Sequence, residues 1–292
     1  RSPIHLIPLT SFCVMLGCNH ENDIIDRTGT MISVSNLALC HVEIVGGCQL
    51  RCVGCPNSLQ RDEVKKMPIE VFERCLRNID VGSIEVLRLF NYGEPLLHDD
   101  LPAILGSLAG QRWSANMVEI STNAQRVDWE SFEAALRLNV LNRLVVSCDG
   151  DGTAANYEAL RPGAKWSHLF EFLDRAAKLR ARLCPRMALV ARIIINHLSD
   201  RTVWDRLLLP LGWTPEYRGW KYLPESSRNM TGRSPRPGAG ICKFVQPSQL
   251  FVACDGIVVP CCVHPRAGEL GDLRVHRLSE IRRGEAHRMF VD

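Results

Sequence analysis

The chain has 292 residues, of which 46% are hydrophobic and 23% charged, with a net charge of +3. That is enough chain for one large core, or for a main domain with a smaller one, in ordinary globular composition. The basic residues are scattered without a Lys/Arg run, which argues against a nucleic-acid patch. Thirteen cysteines are many, but the chain is too long and too rich in core-forming segments for a small secreted disulfide scaffold.

The opening stretch Ile4–Cys18 is mildly apolar, too short to span a bilayer, and without a charged leader region or cleavage site. Residues 1–37 are read as an extension outside the fold and poorly ordered, with Met31 a candidate start. Nothing else in the chain is apolar enough for a membrane span, so a cytoplasmic protein with no membrane or nucleic-acid partner is expected. Cys40–Gly47 alternates and is β-branched, a strand ended by glycines. Pro68–Ile79 has Pro at a helix start and apolar residues at helical spacing. Ser83–Phe90 reads as a strand, Leu101–Gly110 as a helix ending in Gly, Met117–Thr122 as a strand and Trp129–Leu138 as a helix. Arg143–Asp149 is a strand, His168–Leu183 a helix, Met187–Ile195 a continuous apolar strand, Asp200–Leu211 a helix and Pro215–Leu223 a sixth strand.

This alternation predicts an α/β fold of parallel strands joined by crossover helices. In such folds the chemistry gathers at the C-terminal ends of the strands. Pro224–Gly240 is rich in Pro, Gly, Ser and Arg and reads as a linker. Leu250–Cys262 carries two β runs around Asp255-Gly256, a hairpin signal, and Leu278–Phe290 is a short helix.

The cysteines are clustered. Cys48, Cys52 and Cys55 stand within eight residues, and four more fall between 242 and 262. Three close thiolates after a strand suit three irons of a cubane iron–sulfur cluster. A structural zinc site needs four ligands in paired spacing. The next cysteine, Cys75, lies in a helix, and His41 lies within the preceding strand. An incomplete set leaves one iron open to substrate or cofactor. Cys13, Cys18, Cys40, Cys75, Cys148 and Cys184 read as small apolar residues, and His98 as a satisfied turn histidine.

Cys48-x3-Cys52-x2-Cys55 resembles the signature of the radical S-adenosylmethionine (SAM) superfamily, and the likeness extends from about Leu37 to the end. Asn91–Pro95, "NYGEP", resembles the family's Gly-Glu-Pro motif. The resemblance makes Gly93, Glu94 and Pro95 the cofactor turn, with Glu94 accepting hydrogen bonds from the SAM ammonium. It makes Ser121, Thr122 and Asn123 the third-strand turn near the cofactor. Ser147, with Asp149 second, takes the ribose-binding place. Arg161 pairs with the SAM carboxylate or serves the substrate, and Asn196 approaches the adenine. The fold implied is a partial (β/α)6 TIM-like barrel spanning 38–223, with 224–241 a linker. The implied chemistry is one-electron cleavage of SAM at the free iron of a [4Fe-4S] cluster. The 5′-deoxyadenosyl radical so formed takes hydrogen from a substrate carbon.

The tail, 242–292, resembles a SPASM or twitch extension, which carries auxiliary iron–sulfur clusters. Cys242 is followed by thirteen residues, Gly256, four residues and Cys261, so the resemblance makes Cys242 and Cys261 auxiliary ligands. Strand alternation would put Cys261 and Cys262 on opposite faces. Cys254 and Cys262 are read as ligands, buried thiols or hydrogen-atom donors. No cysteine follows between Val263 and Asp292, which leaves open a truncated tail, a degenerate one, or a set completed by Cys254 and Cys262. The expected enzyme is of oxidoreductase, epimerase or peptide-modifying type. It would act on a small polar molecule or a peptide and take electrons from a donor such as a flavodoxin or ferredoxin. The rival reading is a non-catalytic zinc or iron–sulfur interaction protein, which has no need of the turns at 91–95 and 121–124.

Overall fold

A computed structural model describes residues 23–25, 31–33, 36–59, 63–221, 223, 228–232 and 248–291. The chain divides into two compact units, 1–34 and 35–292. In the first, Asp23–Ile25 and Met31–Ser33 pair antiparallel, with Ile24 opposite Ile32.

The second unit is built on six parallel strands: β1 (Asn36–Val42), β2 (Ser83–Arg88), β3 (Ser114–Thr122), β4 (Arg143–Ser147), β5 (Ala188–Ile194) and β6 (Thr214–Arg218). Each pairs in parallel with the next in sequence. Between them run α1 (Ile69–Asn78), α2 (Leu101–Gly106), α3 (Trp129–Arg137), α4 (Ala154–Leu160), α5 (Trp166–Leu183) and α6 (Asp200–Leu208). This is the partial α/β barrel the alternation predicts.

Local chemistry sets the element ends. Asp128 accepts hydrogen bonds from the backbone of Glu130 and Ser131 and so starts α3, and Thr153 accepts one from Asn156 and starts α4. α5 buries Leu169, Phe172, Leu173, Ala176 and Leu179, a helical stripe against the sheet. Leu87, Ile120, Leu144, Val146, Ala191 and Ile193 are fully buried on the helix-covered face of the strands. The predicted helix Leu101–Gly110 stops at Gly106, and Gly110 follows with a φ of 78°. The helix α4 is an addition to the sequence reading.

The tail continues the same sheet. β7 (Gln249–Val252) pairs in parallel with the free edge of β1, with Phe251 opposite His41. β8 (Ile257–Val258) and β9 (Gly271–Asp272) then extend it antiparallel. The full order is β6-β5-β4-β3-β2-β1-β7-β8-β9. The hairpin turn forms at Asp255-Gly256, where Gly256 has a φ of 86° and Asp255 accepts from the Ile257 N–H. The predicted helix 278–290 is broken at the extended Gly284 into α7 (Leu278–Arg283) and α8 (Glu285–Val291). No helix among the described residues is long and apolar enough to cross a membrane.

Candidate functional site

The residues singled out by motif converge at the C-terminal ends of β1 to β5. After β1 the chain passes Val45–Gly46, which pairs antiparallel with Lys65–Lys66, and the loop between them holds Cys48, Cys52 and Cys55. Gly47 enters this loop with a φ of 98°. The Leu50 N–H and the Asn123 side-chain amide both point at the Cys48 sulfur, at 3.4 and 3.3 Å. Burial pushes the Cys48 thiol up to about 12 and Cys55 to about 11, and it raises Cys52 as well. The three sulfurs also perturb one another.

Glu94 is 3% exposed. Its Oε1 accepts from the Leu96 N–H at 3.0 Å and the Thr122 hydroxyl at 2.7 Å, and its Oε2 from the Asn123 N–H at 2.6 Å. Burial raises its carboxyl, and the bonds from Asn123, Thr122 and Leu96 oppose that rise. Pro95 opens the short 3-10 turn Pro95–Leu97 that aims the Leu96 N–H. Thr122 also accepts from the N–H of Ala124, a non-glycine residue held at a φ of 61°. Asn123 and Gln49 exchange side-chain hydrogen bonds at 3.1 and 3.3 Å. The cysteine loop, the Glu94 turn and the 121–124 turn are thereby one hydrogen-bonded unit.

Gly93 is fixed by close approach. A Cβ there would stand 1.6 Å from the Val45 carbonyl oxygen. Its N–H and that of Tyr92 both donate to Glu43 Oε1 at 2.9 Å. Glu43, whose carboxyl burial raises, was not singled out in the sequence, where it looks like one polar residue of an alternating strand. The Tyr92 hydroxyl donates to the Val263 carbonyl of the tail at 2.9 Å, and Cys262, Cys55 and Cys261 are close enough to act on it electrostatically.

Across the mouth, Arg161 bonds Asp149 Oδ2 at 2.5 Å, and Asp149 Oδ1 accepts from the Ile194 N–H at 3.1 Å. Arg161 is 7% exposed, faces Cys52 as well, and its Nε is buried with no hydrogen-bond partner. Ser121 and Ser147 are half-buried on the same strand ends. Asn196 is exposed, and its Oδ1 accepts from Trp220 Nε1 at 2.7 Å. His98 donates from Nε2 to the Met67 carbonyl and accepts from the Asp100 N–H at Nδ1, so it is a satisfied turn residue.

Cys261 is 9% exposed and packs with Phe251 and Val259. It accepts from the His264 N–H at 3.3 Å. Cys262 packs against the same cluster and lies near Arg88. β8 ends at Val258, so the two sit in a loop and no strand imposes the alternation expected of them. Cys254 faces the Lys65 carbonyl and Gly46. Cys242, with Cys13 and Cys18, lies outside the described residues, while Cys40, Cys75, Cys148 and Cys184 are buried. A cavity of about 500 Å³ separates Cys48, Pro56 and Tyr92 from Ala253, Asp255 and Val259 of the tail.

The donor set fits a cubane. The Cys48 sulfur receives two N–H donors, and the orphaned Arg161 Nε lies beside Cys52. Among the described residues no three His, Cys, Asp or Glu side chains close round a single ion. A cubane takes each thiolate on a different iron and does not require that they do.

The family model of the radical SAM superfamily matches residues 42–208, and that of SPASM, an iron-sulfur cluster-binding domain, matches 242–292. No curated protein sequence matches the chain. Among solved structures it is similar to BtrN in complex with AdoMet and 2-DOIA, at 16% identity over 87% of this chain and 85% of that one, with a TM-score of 0.51. It is also similar to native anSMEcpe with bound AdoMet, at 17% identity over 87% and 83%, with a TM-score of 0.53. The same protein with AdoMet and a Cp18Cys peptide gives 17% over 88% and 82%, at 0.52. At these identities the likeness is one of fold.

Proposed function

The chain belongs to the radical SAM superfamily, and from that premise we propose that it abstracts hydrogen from a substrate carbon, ending in dehydrogenation, epimerisation or peptide modification. Membership implies a [4Fe-4S] cluster with SAM, and the SPASM match implies auxiliary iron–sulfur clusters. When bound, cluster and SAM together supply the one-electron carbon–sulfur cleavage. In this reading Cys48, Cys52 and Cys55 hold the SAM-binding cluster, and Cys242 and Cys261 contribute to the auxiliary one. The protein takes electrons from a small donor such as a flavodoxin or ferredoxin, and its substrate is a small polar molecule or a peptide. It works in the cytoplasm, with residues 38–223 as the catalytic domain and 242–292 as the auxiliary one.

The observation that carries this reading is the wiring of Glu94 through Thr122 and Asn123 to Cys48. A carboxylate has about four acceptor positions. Three on Glu94 are filled by the protein, and the remaining one accepts an ammonium N–H of SAM, a charge-assisted bond in a dry site. Arg161, clamped by Asp149, offers its unpartnered Nε to the SAM carboxylate. Ser147 and Asn196 take the ribose and adenine, and the 93–95 and 121–123 turns wall the pocket.

The test is metal content. Anaerobically reconstituted protein should bind about four irons at the Cys48–Cys55 loop. Changing the three cysteines to Ala should remove those irons and SAM cleavage while the circular dichroism of the barrel persists. Stoichiometric zinc without iron, in protein made under anoxic and iron-replete conditions, would defeat the proposal.

A further inference from the structure

The inward face of the barrel carries a charged layer that the site above does not use. Arg88 on β2, Glu119 on β3, Arg143 on β4, Arg192 on β5, and Glu216 and Arg218 on β6 touch one another across five strands. Glu119 is wholly buried and lies 3.2 Å from Arg88 and 3.1 Å from Arg143. Glu216 takes Arg143 at 2.6 Å, Arg192 at 2.5 Å and Arg218 at 3.2 Å. Arg192 reaches Glu119 as well, at 3.7 Å.

The balance of charge is uneven. Four guanidiniums meet two carboxylates. Both carboxylates are ion-paired, and Glu216 is held down at about 2, where its bonds to Arg192 and the other guanidiniums outweigh burial. His41 closes the layer on the β1 side. Its Nδ1–H donates to the Phe90 carbonyl at 3.1 Å, and its Nε2 accepts from Arg88 at 3.4 Å. Burial, with Arg88 beside it, pushes this imidazole down to about 4, so it is neutral and adds no charge. Arg218 is 54% exposed and solvated, so one positive charge is left over in the half-buried layer, where uncompensated charge is costly. Arg88 Nη2 and Arg192 Nη1 have no partner among the described residues, and the buried Arg88 Nε makes no aligned hydrogen bond.

The layer also stands at a useful depth. Asn123 follows Glu119 by four residues on the same strand face, and Tyr92 follows Arg88 by four. At about 3.3 Å per residue the Arg88 backbone lies roughly 13 Å beneath the Glu94–Asn123 turn, while Arg192 pairs with Ser147, one residue past the Thr122–Val146 pair, and reaches down to Glu119 with its side chain. Phe90 and Ser121 stand between Arg88 or Glu119 and that turn, and the buried Val145 stands between Arg143 and Ser147. Arg88 and Arg192 keep 29% and 25% side-chain exposure, so both guanidiniums are accessible.

We propose that Arg88 and Arg192 bind an oxyanion of the substrate, a carboxylate or a phosphate, and so suspend its reacting carbon between the arginine layer and SAM. This deepens the functional reading above and rests on it for the placement of SAM. A planar guanidinium fork matches either oxyanion in two-point contact. One such group neutralises the surplus charge.

The reconstituted holoenzyme with SAM would be titrated in low-salt buffer with inorganic phosphate, followed by ³¹P line width, and with ¹³C-labelled succinate, followed by ¹³C line width. Saturable binding of at least one probe is expected. Arg88→Gln and Arg192→Gln should each weaken it tenfold or more, and Arg192→Lys, which keeps the charge but not the fork, should fall between wild type and Arg192→Gln. Arg112→Gln, on the exposed turn before β3, should change nothing. Phosphate alone assigns a phosphate ester, and succinate alone a carboxylic acid. No saturable binding of either probe to wild type, or undiminished binding by both Gln variants, overturns the proposal. Calorimetry of SAM separates the two readings: SAM bound with neither anion bound rejects the arginine site only, whereas wild type without SAM affinity rejects the function proposed above.

Discussion

Replacing Gly93 by Ala should damage the protein more than a single methyl suggests. The new Cβ would fall 1.6 Å from the Val45 oxygen, 2.6 Å from the Val45 carbonyl carbon and 3.1 Å from the Gly47 oxygen. All three are backbone atoms, so no side chain can swing aside, and the turn itself must move. Moving it strains or breaks the bonds from the Tyr92 and Gly93 N–H groups to Glu43 and from the Glu94 N–H to the Gly47 carbonyl. Two of these end on a carboxylate and are worth about 1.5–3 kcal/mol each, and the third about 0.5–1.5 kcal/mol. A loss of about 3.5–7.5 kcal/mol follows if all three bonds go, with a fall in SAM affinity because Glu94 shifts with its neighbour. Anaerobic urea unfolding and calorimetry of SAM would measure both. A Gly93→Ala protein within about 1 kcal/mol of wild type and with unchanged SAM affinity would refute the argument.

Glu94→Ala should leave SAM about ten- to a hundredfold weaker in calorimetry, the worth of one charge-assisted bond of about 1.5–3 kcal/mol. Tyr92→Phe removes only the bond to Val263 and should cost about 0.5–1.5 kcal/mol in unfolding with SAM affinity kept; a lost affinity would show that the phenol does more than tether the tail. His41 titrates at about 4 in the fold against 6.5 ordinarily. As acid is added, the unfolded chain takes up this proton first, so the contribution of His41 is complete above pH 6.5 and declines as pH falls toward 4. The slope is at most about 1.4 kcal/mol per pH unit. Wild type should therefore lose stability faster than His41→Asn between pH 6.5 and 5, and parallel curves would contradict the assignment.

The cysteine spacing and the "NYGEP" turn were legible because they are local: three thiols on one loop and a glycine-led bend need only a few residues of sequence. The strand–helix alternation was legible for the same reason, through its apolar periodicity. Glu43 was not, because its role depends on the Tyr92–Gly93 backbone, some fifty positions away. The arginine layer left a faint trace, a charge set among apolar residues in each of several strands: Arg88 in "VLRLF", Glu119 in "MVEIST" and Arg192 in "LVARII". The register of the sheet sets Glu119 beside Arg88, and only the long Arg192 side chain, one level away, brings the third charge to it. The docking of β7 on β1 was hidden altogether. Hairpin signals describe what a strand pairs with next in sequence, and β7 pairs with β8 as expected, but also with a strand made at the other end of the chain.

That last pairing imposes a timetable on biosynthesis. One edge of β1 stays open from the moment residue 42 leaves the ribosome until residue 252 follows, a separation of 210 residues. At about 5–20 residues per second the wait is roughly ten to forty seconds. During it, the strand that leads into the cysteine loop presents unpaired N–H and C=O groups to any passing chain. Slow, cool expression with chaperones should therefore raise soluble yield more than extra iron does, and a chain cut before Gln249 should aggregate although all six barrel strands are present.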